Sequence, residues 1–301
     1  MKIAVIGFGA ATIGFLKVMK NTEHEIHVFE KAKDIYSSSL SGIRADGKLF
    51  VSEGMGGDLE IPVPIQEDVV KYYLKFVNCS DDAIEKGDSF VKSSYYSKFY
   101  ENGFQPITAQ FFHIGTDELK NVLHNLYEEF RNAKNIRFHF ETKVENVTND
   151  GDIKVYYGDE SDTFDKVVVA VGRSGHKLVK KIIEEKPALV LDNTKVDLGV
   201  RFELPNHIVE DLNREMYEFK VKYKSKTGYS VRTFCNNPAG YVVAENYGDF
   251  VTVNGHAKMY EKSENTNFAI LVTHSFTEPF NDPIGYGSYI AKLSNILSGG
   301  Q

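Results

Sequence analysis

The stretch KIAVIGFGAATIGFLKVMK at residues 2–20 decides the fold class expected for this chain. Its first part, residues 2–6, is an apolar, β-branched run, which is typical of a parallel strand buried on both faces. Gly7 and Gly9 then bracket a turn, and the apolar residues after it recur at helical spacing. A second strand is predicted at residues 25–30, EIHVFE. We therefore expect an α/β fold: a Rossmann-like domain with a parallel sheet in three layers.

The loop after the first strand has the composition of a dinucleotide-binding turn. Gly7 permits a tight turn, and Gly9 lacks a Cβ atom, so a diphosphate can approach the backbone there. The following helix directs free N–H groups at the same point, which extends the predicted site to Ala10 and Ala11. Thr12 stands where the fingerprint has its third glycine. Its Cβ either widens the helix–strand contact or its hydroxyl caps the helix.

An acidic residue follows at the end of the second predicted strand. Glu30 lies 23 residues after Gly7, where a carboxylate accepts hydrogen bonds from both ribose hydroxyls. This position indicates FAD or NAD and argues against the 2′-phosphate of NADP, but it does not separate FAD from NAD. A glycine-rich turn in an α/β domain that binds no nucleotide is the alternative.

The composition excludes several classes of protein. Of the 301 residues, 42% are hydrophobic and 26% are charged, which is the balance of a globular chain and not of a disordered one. The net charge is −7 and no run of Lys or Arg stands out, so we expect no nucleic-acid partner. No apolar stretch approaches the ~18–20 residues of a spanning helix, so we expect no membrane partner. The Gly-x-Ser-x-Gly motif of many hydrolases is absent.

Cysteine, histidine and the N-terminus bear on compartment and metal content. Cys79 and Cys235 are the two cysteines, and they do not form a Cys-x-x-Cys pair. This usage fits a reducing cytoplasm, where we expect the protein. None of the nine histidines has metal-ligand spacing, so we expect no metal. The basic, apolar N-terminus resembles a signal peptide, but its glycine loop and Glu30 favour a strand.

The middle of the chain contains a glycine-rich loop and an inserted segment. The loop, residues 37–62, carries the polar residues Asp46 and Lys48 beside flexible backbone. Long loops in compact domains are often functional, and a surface excursion with scattered charges is the open alternative. Residues 63–108 predict a mainly helical insertion.

Further along, Thr116 is a predicted helix N-cap. The segments at residues 136–147 and 153–157 predict two strands that pair antiparallel. An apolar strand at residues 167–171 stops at Gly172. A strand that ends in glycine near the switch edge of such a fold is where a bound adenine can meet backbone groups.

Several motifs occur in an order that resembles a known family. The motifs are GxG with Glu30-Lys31, DGKL (46–49), HIGTDEL (113–119), TKVENV (142–147), AVGRSG (170–175), VDLGVRFELP (196–205), VRTFCNNPAGYVV (231–243), VTVNGHA (251–257) and FAILVTHSFTEPFNDPIGYG (268–287). Over nearly the whole chain they resemble bacterial and archaeal FAD-dependent dehydrogenases of unknown substrate, within the two-dinucleotide-binding-domain (glutathione-reductase-like) superfamily of flavoproteins.

The resemblance implies FAD as cofactor and an FAD-binding domain at residues 1–195, with a β-rich substrate domain at residues 196–301. It also implies that the chain lacks the second glycine-rich stretch that closes over the flavin, so we expect a fragment or a short member. The cofactor contacts it implies are Gly7, Gly9, Ala10, Ala11 and Thr12 at the diphosphate, Glu30 and Lys31 at the ribose, Val144, Ala170, Gly172 and Arg173 near the adenine, and Asp46, Gly47 and Lys48 toward the flavin.

Candidate catalytic residues are few, because the isoalloxazine performs the redox step in flavoenzymes. Cys235 is either a substrate-side thiol or a small buried hydrophobe, and His256 is either an acid–base group or a structural strand-end histidine.

We expect an oxidoreductase that moves a hydride through flavin N5, with a small-molecule substrate and NAD(P)H as a candidate partner. The alternatives are a flavin-binding module without turnover, a truncated fragment of such an enzyme, and a simple NAD-binding protein. The β-rich second half argues against the last.

Overall fold

The computed structural model describes residues 1–36, 47–55, 59–88, 93–186, 194–277, 279–280 and 282–299. These residues group into two compact units. The first unit contains the described residues of 1–45, 76–78 and 119–191, and the second contains those of 46–75, 79–118 and 192–301.

The strands of the described residues are β1 (Lys2–Ile6), β2 (Glu25–Phe29), β3 (Lys48–Val51), β4 (Glu85–Asp88), β5 (Gln105–Pro106), β6 (Gln110–His113), β7 (Ile136–His139), β8 (Val144–Asn149), β9 (Ile153–Tyr157), β10 (Glu160–Phe164), β11 (Lys166–Val169), β12 (Lys195–Pro205), β13 (Val221–Lys224), β14 (Ser230–Asn237), β15 (Tyr241–Asn246), β16 (Val251–His256) and β17 (Asn265–Ser275). The α-helices are α1 (Ala10–Met19), α2 (Val63–Leu74), α3 (Tyr95–Glu101), α4 (Leu119–Arg131), α5 (His176–Glu185), α6 (Glu210–Glu215) and α7 (Pro283–Leu297).

A parallel sheet with strand order β11–β1–β2–β7 forms the centre of the first unit. Val5 of β1 lies opposite Val28 of β2 and Val168 of β11. Both Ala4 and Val5 are fully buried although they point to opposite faces of the sheet. The apolar run at residues 2–6 therefore has the two-sided burial that its composition predicts, and the expected α/β class with a parallel sheet is confirmed.

The first unit has three layers. On one face of the parallel sheet, Ala4, Ile6 and Phe29 share a core cluster with residues of the antiparallel sheet β10–β9–β8. On the other face, Tyr127 of α4 packs edge-on against Phe138 of β7, with ring centroids 5.1 Å apart. Burying each large apolar side chain stabilises the fold by ~1.5–3 kcal/mol, so both faces contribute to holding β1 in place.

The strand expected at residues 136–147 is interrupted in the structure. β7 pairs in parallel with β2, whereas β8 pairs antiparallel with β9. Between them Glu141 has φ +53°, a left-handed conformation that no strand continues through. The interruption lets one apolar segment supply strands to two different sheets, and the predicted pairing with residues 153–157 is confirmed for β8.

The second unit is rich in antiparallel sheet. Its five-stranded sheet has the order β12–β17–β14–β13–β5, and β12 pairs with β17 from Lys195 opposite Ser275 to Pro205 opposite Asn265. A three-stranded sheet, β3–β6–β4, and the hairpin β15–β16 also belong to this unit. The expectation of a β-rich second half is confirmed.

Two features of the middle region differ from what its sequence suggests. The segment at 63–108 is mixed, because strand β4 and the short strand β5 accompany helices α2 and α3. Apart from residues 76–78, its described residues also group with residues 192–301, whereas the sequence places the insertion in the domain predicted at 1–195. Strands β4 and β5 pair with β6 and β13 of the second unit, which is why the segment groups there.

The turn before α4 also differs from expectation. The helix begins at Leu119, and the hydroxyl of the predicted cap Thr116 donates to the carbonyl of Ala257. The Asp117 carboxylate accepts the N–H groups of Met259 and Tyr260. Burial alone would raise the pKa of Asp117, but these backbone hydrogen bonds outweigh it and lower the pKa. The polar residues of this turn therefore bind a loop about 140 residues later in the chain.

Among the residues that the structure describes, no helix is both long and apolar enough to span a lipid bilayer.

Candidate functional site

Gly7 shapes the loop at the end of β1. Its φ is +93°, and its N–H donates to the carbonyl of Phe29, 2.8 Å away. A Cβ atom at this position would lie 2.6 Å from the carbonyl oxygen of Ala170, just after β11. A side chain is thus excluded both by the backbone conformation and by the close approach of a neighbouring chain segment. Gly7 is required by the fold itself.

Gly9 is different, because the surrounding protein does not require a glycine there. It is the N-cap of α1, with φ −122° and ψ −167°, a conformation open to any residue. A Cβ atom at Gly9 would meet no atom of the described residues within 4 Å. The space beside this backbone is therefore open, which is the arrangement that lets a ligand approach the main chain.

The amino end of α1 faces that space with unused donors. No side chain caps the helix, and Ala10 and Ala11 in its first turn are exposed. The first amides of an α-helix have no acceptor within the helix, and the dipole adds positive potential at this end. An anion in the open space would meet several N–H groups of the helix.

Thr12 holds the loop in shape. Its hydroxyl donates to the carbonyl of Gly7 over 2.6 Å, and its side chain is fully buried. It therefore does not act as the helix cap that the sequence suggested. Thr12 as a whole residue is 0% exposed, and its predicted contact with a diphosphate remains a prediction.

Glu30 is tied to the same loop. One carboxylate oxygen accepts the N–H of Phe8 and the other accepts the N–H of Ala32, each at 2.9 Å. The residue is 5% exposed, so these bonds fix the carboxylate at the edge of the sheet. Each oxygen has a second lone pair that remains available to a hydroxyl donor. The neighbouring Lys31 is exposed.

The structure also brings the end of β11 to this edge. Ala170 donates its N–H to Ile6, and its carbonyl is the atom that excludes a side chain at Gly7. Gly172 has φ +58° and is exposed, as is Arg173. Val144 begins β8 and is 6% exposed, with a ladder irregularity directly after it. Their predicted roles near an adenine remain predictions.

The described residues among those expected toward the flavin, Gly47 and Lys48, belong to the second unit. Asp46 is outside the described residues. Gly47 has φ +74°, and its carbonyl accepts the N–H of Ile114 within the second unit. The Lys48 side chain is 1% exposed, and its ammonium forms an ion pair with Glu218 at 2.5 Å. That charge is thus already paired inside the protein, and the predicted cofactor contact of Lys48 remains a prediction.

The two candidate catalytic residues are both in the second unit. Cys235 is half-buried at a bulge of β14, with φ +42°, and its carbonyl accepts an N–H from Arg201. His256 ends β16 opposite Tyr241 and is half-buried. Their proposed chemistry remains a prediction.

Sequence reasoning missed a buried polar network in the second unit. It surrounds the Lys48–Glu218 pair, where Asn236 donates its N–H to Glu218 and accepts from Lys48 through its carbonyl. Asn237, Thr266 and Asn267 are also buried. The available signal was the pair Asn236-Asn237 and the stretch Asn265-Thr266-Asn267, but asparagine is also common in exposed turns.

Comparison with known proteins gives distant likenesses. No family model matches the chain. An uncharacterized protein from Clostridium beijerinckii is 25% identical over 299 residues, covering 90% of this chain and 51% of the relative. The chain thus spans about half the length of the curated relative it matches.

Solved structures resemble it only loosely. CtdE in complex with FAD has a TM-score of 0.44 at 11% identity, covering 99% of this chain and 68% of CtdE. FqzB has a TM-score of 0.41 at 12% identity, covering 93% of this chain and 54% of FqzB. A 2-methyl-3-hydroxypyridine-5-carboxylic acid oxygenase variant has a TM-score of 0.39 at 10% identity, covering 90% and 58%.

Proposed function

We propose that the first unit binds FAD and that the protein is an FAD-dependent oxidoreductase. The observation that carries the proposal is the contrast between Gly7 and Gly9. The fold requires glycine at the first position, whereas at Gly9 neither packing nor backbone conformation does. A bound diphosphate that presses against the backbone explains why a side chain is absent there.

The charges around the loop favour a dinucleotide with a free ribose diol. Residues 7–12 contain no Lys or Arg, so a diphosphate would be held by amides and by the helix dipole. The dipole contributes only ~0.3–1 kcal/mol, so several N–H bonds must supply the rest. Glu30 would accept the ribose hydroxyls while retaining its bonds to Phe8 and Ala32, and its charge would repel a 2′-phosphate.

The chain's own residues bind and orient the cofactor in this proposal. When bound, the flavin supplies a hydride acceptor or donor at N5, which no amino-acid side chain provides. Thr12 and Glu30 keep the loop amides aimed at the diphosphate, and Val144 with Gly172 offers backbone groups to the adenine. We propose hydride transfer of the dehydrogenase type, with a small-molecule substrate and NAD(P)H as the candidate second partner.

A matched pair of substitutions in α1 tests the diphosphate site. In Gly9→Val the new side chain enters the open space, so flavin retention should fall by at least tenfold while the far-ultraviolet circular dichroism is unchanged. Gly14→Val is the control, because Gly14 lies in the same helix and a Cβ there also meets no atom of the described residues within 4 Å. Released cofactor is identified by mass and by its visible absorption bands.

Retention of flavin by Gly9→Val at the wild-type level would refute the site. Bleaching of the visible flavin bands by NADH or NADPH would then separate an oxidoreductase from a module that binds flavin without turnover.

A further inference from the structure

One face of the five-stranded sheet combines positive charge with apolar side chains. Arg232 of β14 lies opposite Leu271 of β17 and Lys222 of β13, and Phe234 lies opposite Ala269. Directly opposed residues, and residues two apart on one strand, share a face of an antiparallel sheet. All five side chains therefore project to the same side.

Lys220 extends over this face from the segment just before β13. Its ammonium nitrogen lies 5.6 Å from the ring centroid of Phe234, and the guanidinium carbon of Arg232 lies 5.1 Å from the same centroid. One aromatic ring thus contacts two cations. We name Lys220, Arg232 and Phe234 the cationic triad.

The two cations of the triad are not equally neutralised. Arg232 donates to the Asp197 carboxylate over 2.7 Å, and Asp197 also accepts the hydroxyl of Thr273. Within the described part of the chain, the Lys220 ammonium has no hydrogen-bond or ion-pair partner, and it lies over the Phe234 ring. Burial, followed by the charge of Arg232, lowers the pKa of Lys220. An unpaired, half-buried ammonium next to a guanidinium is a position that an anion would stabilise.

The surroundings indicate what kind of anion fits. Arg232 has donors beyond the pair with Asp197, since a guanidinium carries five N–H groups. Leu271 and Ala269 supply apolar surface directly beside the charges. The chain then bulges after Phe234, where Cys235 takes the left-handed conformation, and bulges of this kind re-aim side chains next to binding sites.

We propose that the cationic triad binds the carboxylate of a small organic acid whose apolar part rests on Phe234 and Leu271. The role of this acid as the substrate rests on the proposed oxidoreductase function. Its binding to the second unit is independent of that function. The proposal assigns the substrate class as organic acids with an apolar body.

Calorimetric titration of the full chain with benzoate and with its neutral isostere benzamide tests the charge requirement. Benzoate should bind at least tenfold more tightly than benzamide, because a carboxylate forms charge-assisted hydrogen bonds that an amide does not. Inorganic phosphate is the third probe, and it should bind more weakly than benzoate because it has no apolar part to bury. Equal affinity for benzoate and benzamide, or no benzoate binding at millimolar concentration, would overturn the proposal.

Substitutions locate the site. Lys220→Met should weaken benzoate binding at least tenfold, and Lys220→Arg should retain it because the charge remains. Lys222→Met is the matched control, since Lys222 is an exposed lysine on the same face two residues further along. It should change the affinity less than twofold, and an equal loss in both methionine variants would mean that binding is diffuse. Flavin occupancy, measured in the same samples, should not change, so a failure of either proposal is visible separately.

Discussion

The buried ion pair between Lys48 and Glu218 allows a quantitative prediction about the second unit. Their side chains are 1% and 2% exposed, and the ammonium and carboxylate lie 2.5 Å apart. Glu218 also accepts the N–H of Asn236, so its carboxylate is fixed from two sides. Substitution Lys48→Met fills a similar volume but leaves the Glu218 charge buried without its partner.

We expect Lys48→Met to lower the free energy of unfolding by about 3–5 kcal/mol, the usual loss when one partner of a buried pair is removed. Much of that loss is the burial of an uncompensated charge, so a second substitution should reverse part of it. In Lys48→Met with Glu218→Gln, the glutamine oxygen still accepts from Asn236 and no charge is stranded. The double variant should recover at least half of the loss.

Urea unfolding followed by tyrosine fluorescence measures these differences. The exposed pair of Lys71 and Glu67 on α2, one helical turn apart and 3.6 Å between charges, is the control. Lys71→Met should change the free energy of unfolding by only about 0.3–0.5 kcal/mol. A loss for Lys48→Met as small as that for Lys71→Met, or a double variant no more stable than the single one, would refute the reasoning.

Two further predictions concern the first unit. Gly7→Ala should lower the melting temperature much more than Gly151→Ala, because both glycines have positive φ but only at Gly7 would the new Cβ meet backbone, the carbonyl of Ala170. Equal shifts in differential scanning calorimetry would contradict this. His27 and His139 are hydrogen-bonded to each other, and burial lowers the pKa of each below the usual 6.5. The unfolded chain therefore binds more protons than the folded chain just below that value, so stability should fall as the pH drops from 6.5 through the folded pKa values. Urea unfolding across this pH range should show a smaller fall in the free energy of unfolding for His27→Phe than for the wild type. An equal fall in both proteins would exclude the pair of His27 and His139 as its source.

Local sequence predicted the first unit well because its signals are local. A strand buried on both faces shows as a continuous apolar run, and the run at residues 2–6 becomes β1. Glycine before a helix marks the turn, and Gly7 has the positive φ that such a turn needs. The acidic residue Glu30 is found at the same edge, but its bonds to loop amides depend on how close β2 comes to β1 in the folded sheet.

The helix start at α4 and the role of Lys48 were not predictable in the same way. Thr116 and Asp117 have the composition of a helix cap, yet they bind residues about 140 positions later in the chain. Lys48 appears as a free loop charge in the sequence, but its partner Glu218 is far along the chain. Competition between a local cap and a distant hydrogen-bond partner is decided by tertiary packing.

From the sequence alone, the alternation of apolar and glycine residues determines that β1, its loop and α1 form, since these depend on contacts between near neighbours. Only the tertiary structure distinguishes the two glycines of the loop: Gly7 meets the backbone of Ala170, just after β11, whereas Gly9 faces open space. Likewise, only strand pairing brings Lys220, Arg232 and Phe234 together on one face. The physical reason is the same in both cases, because distances between segments remote in sequence are set by the packing of the sheets and not by local preference.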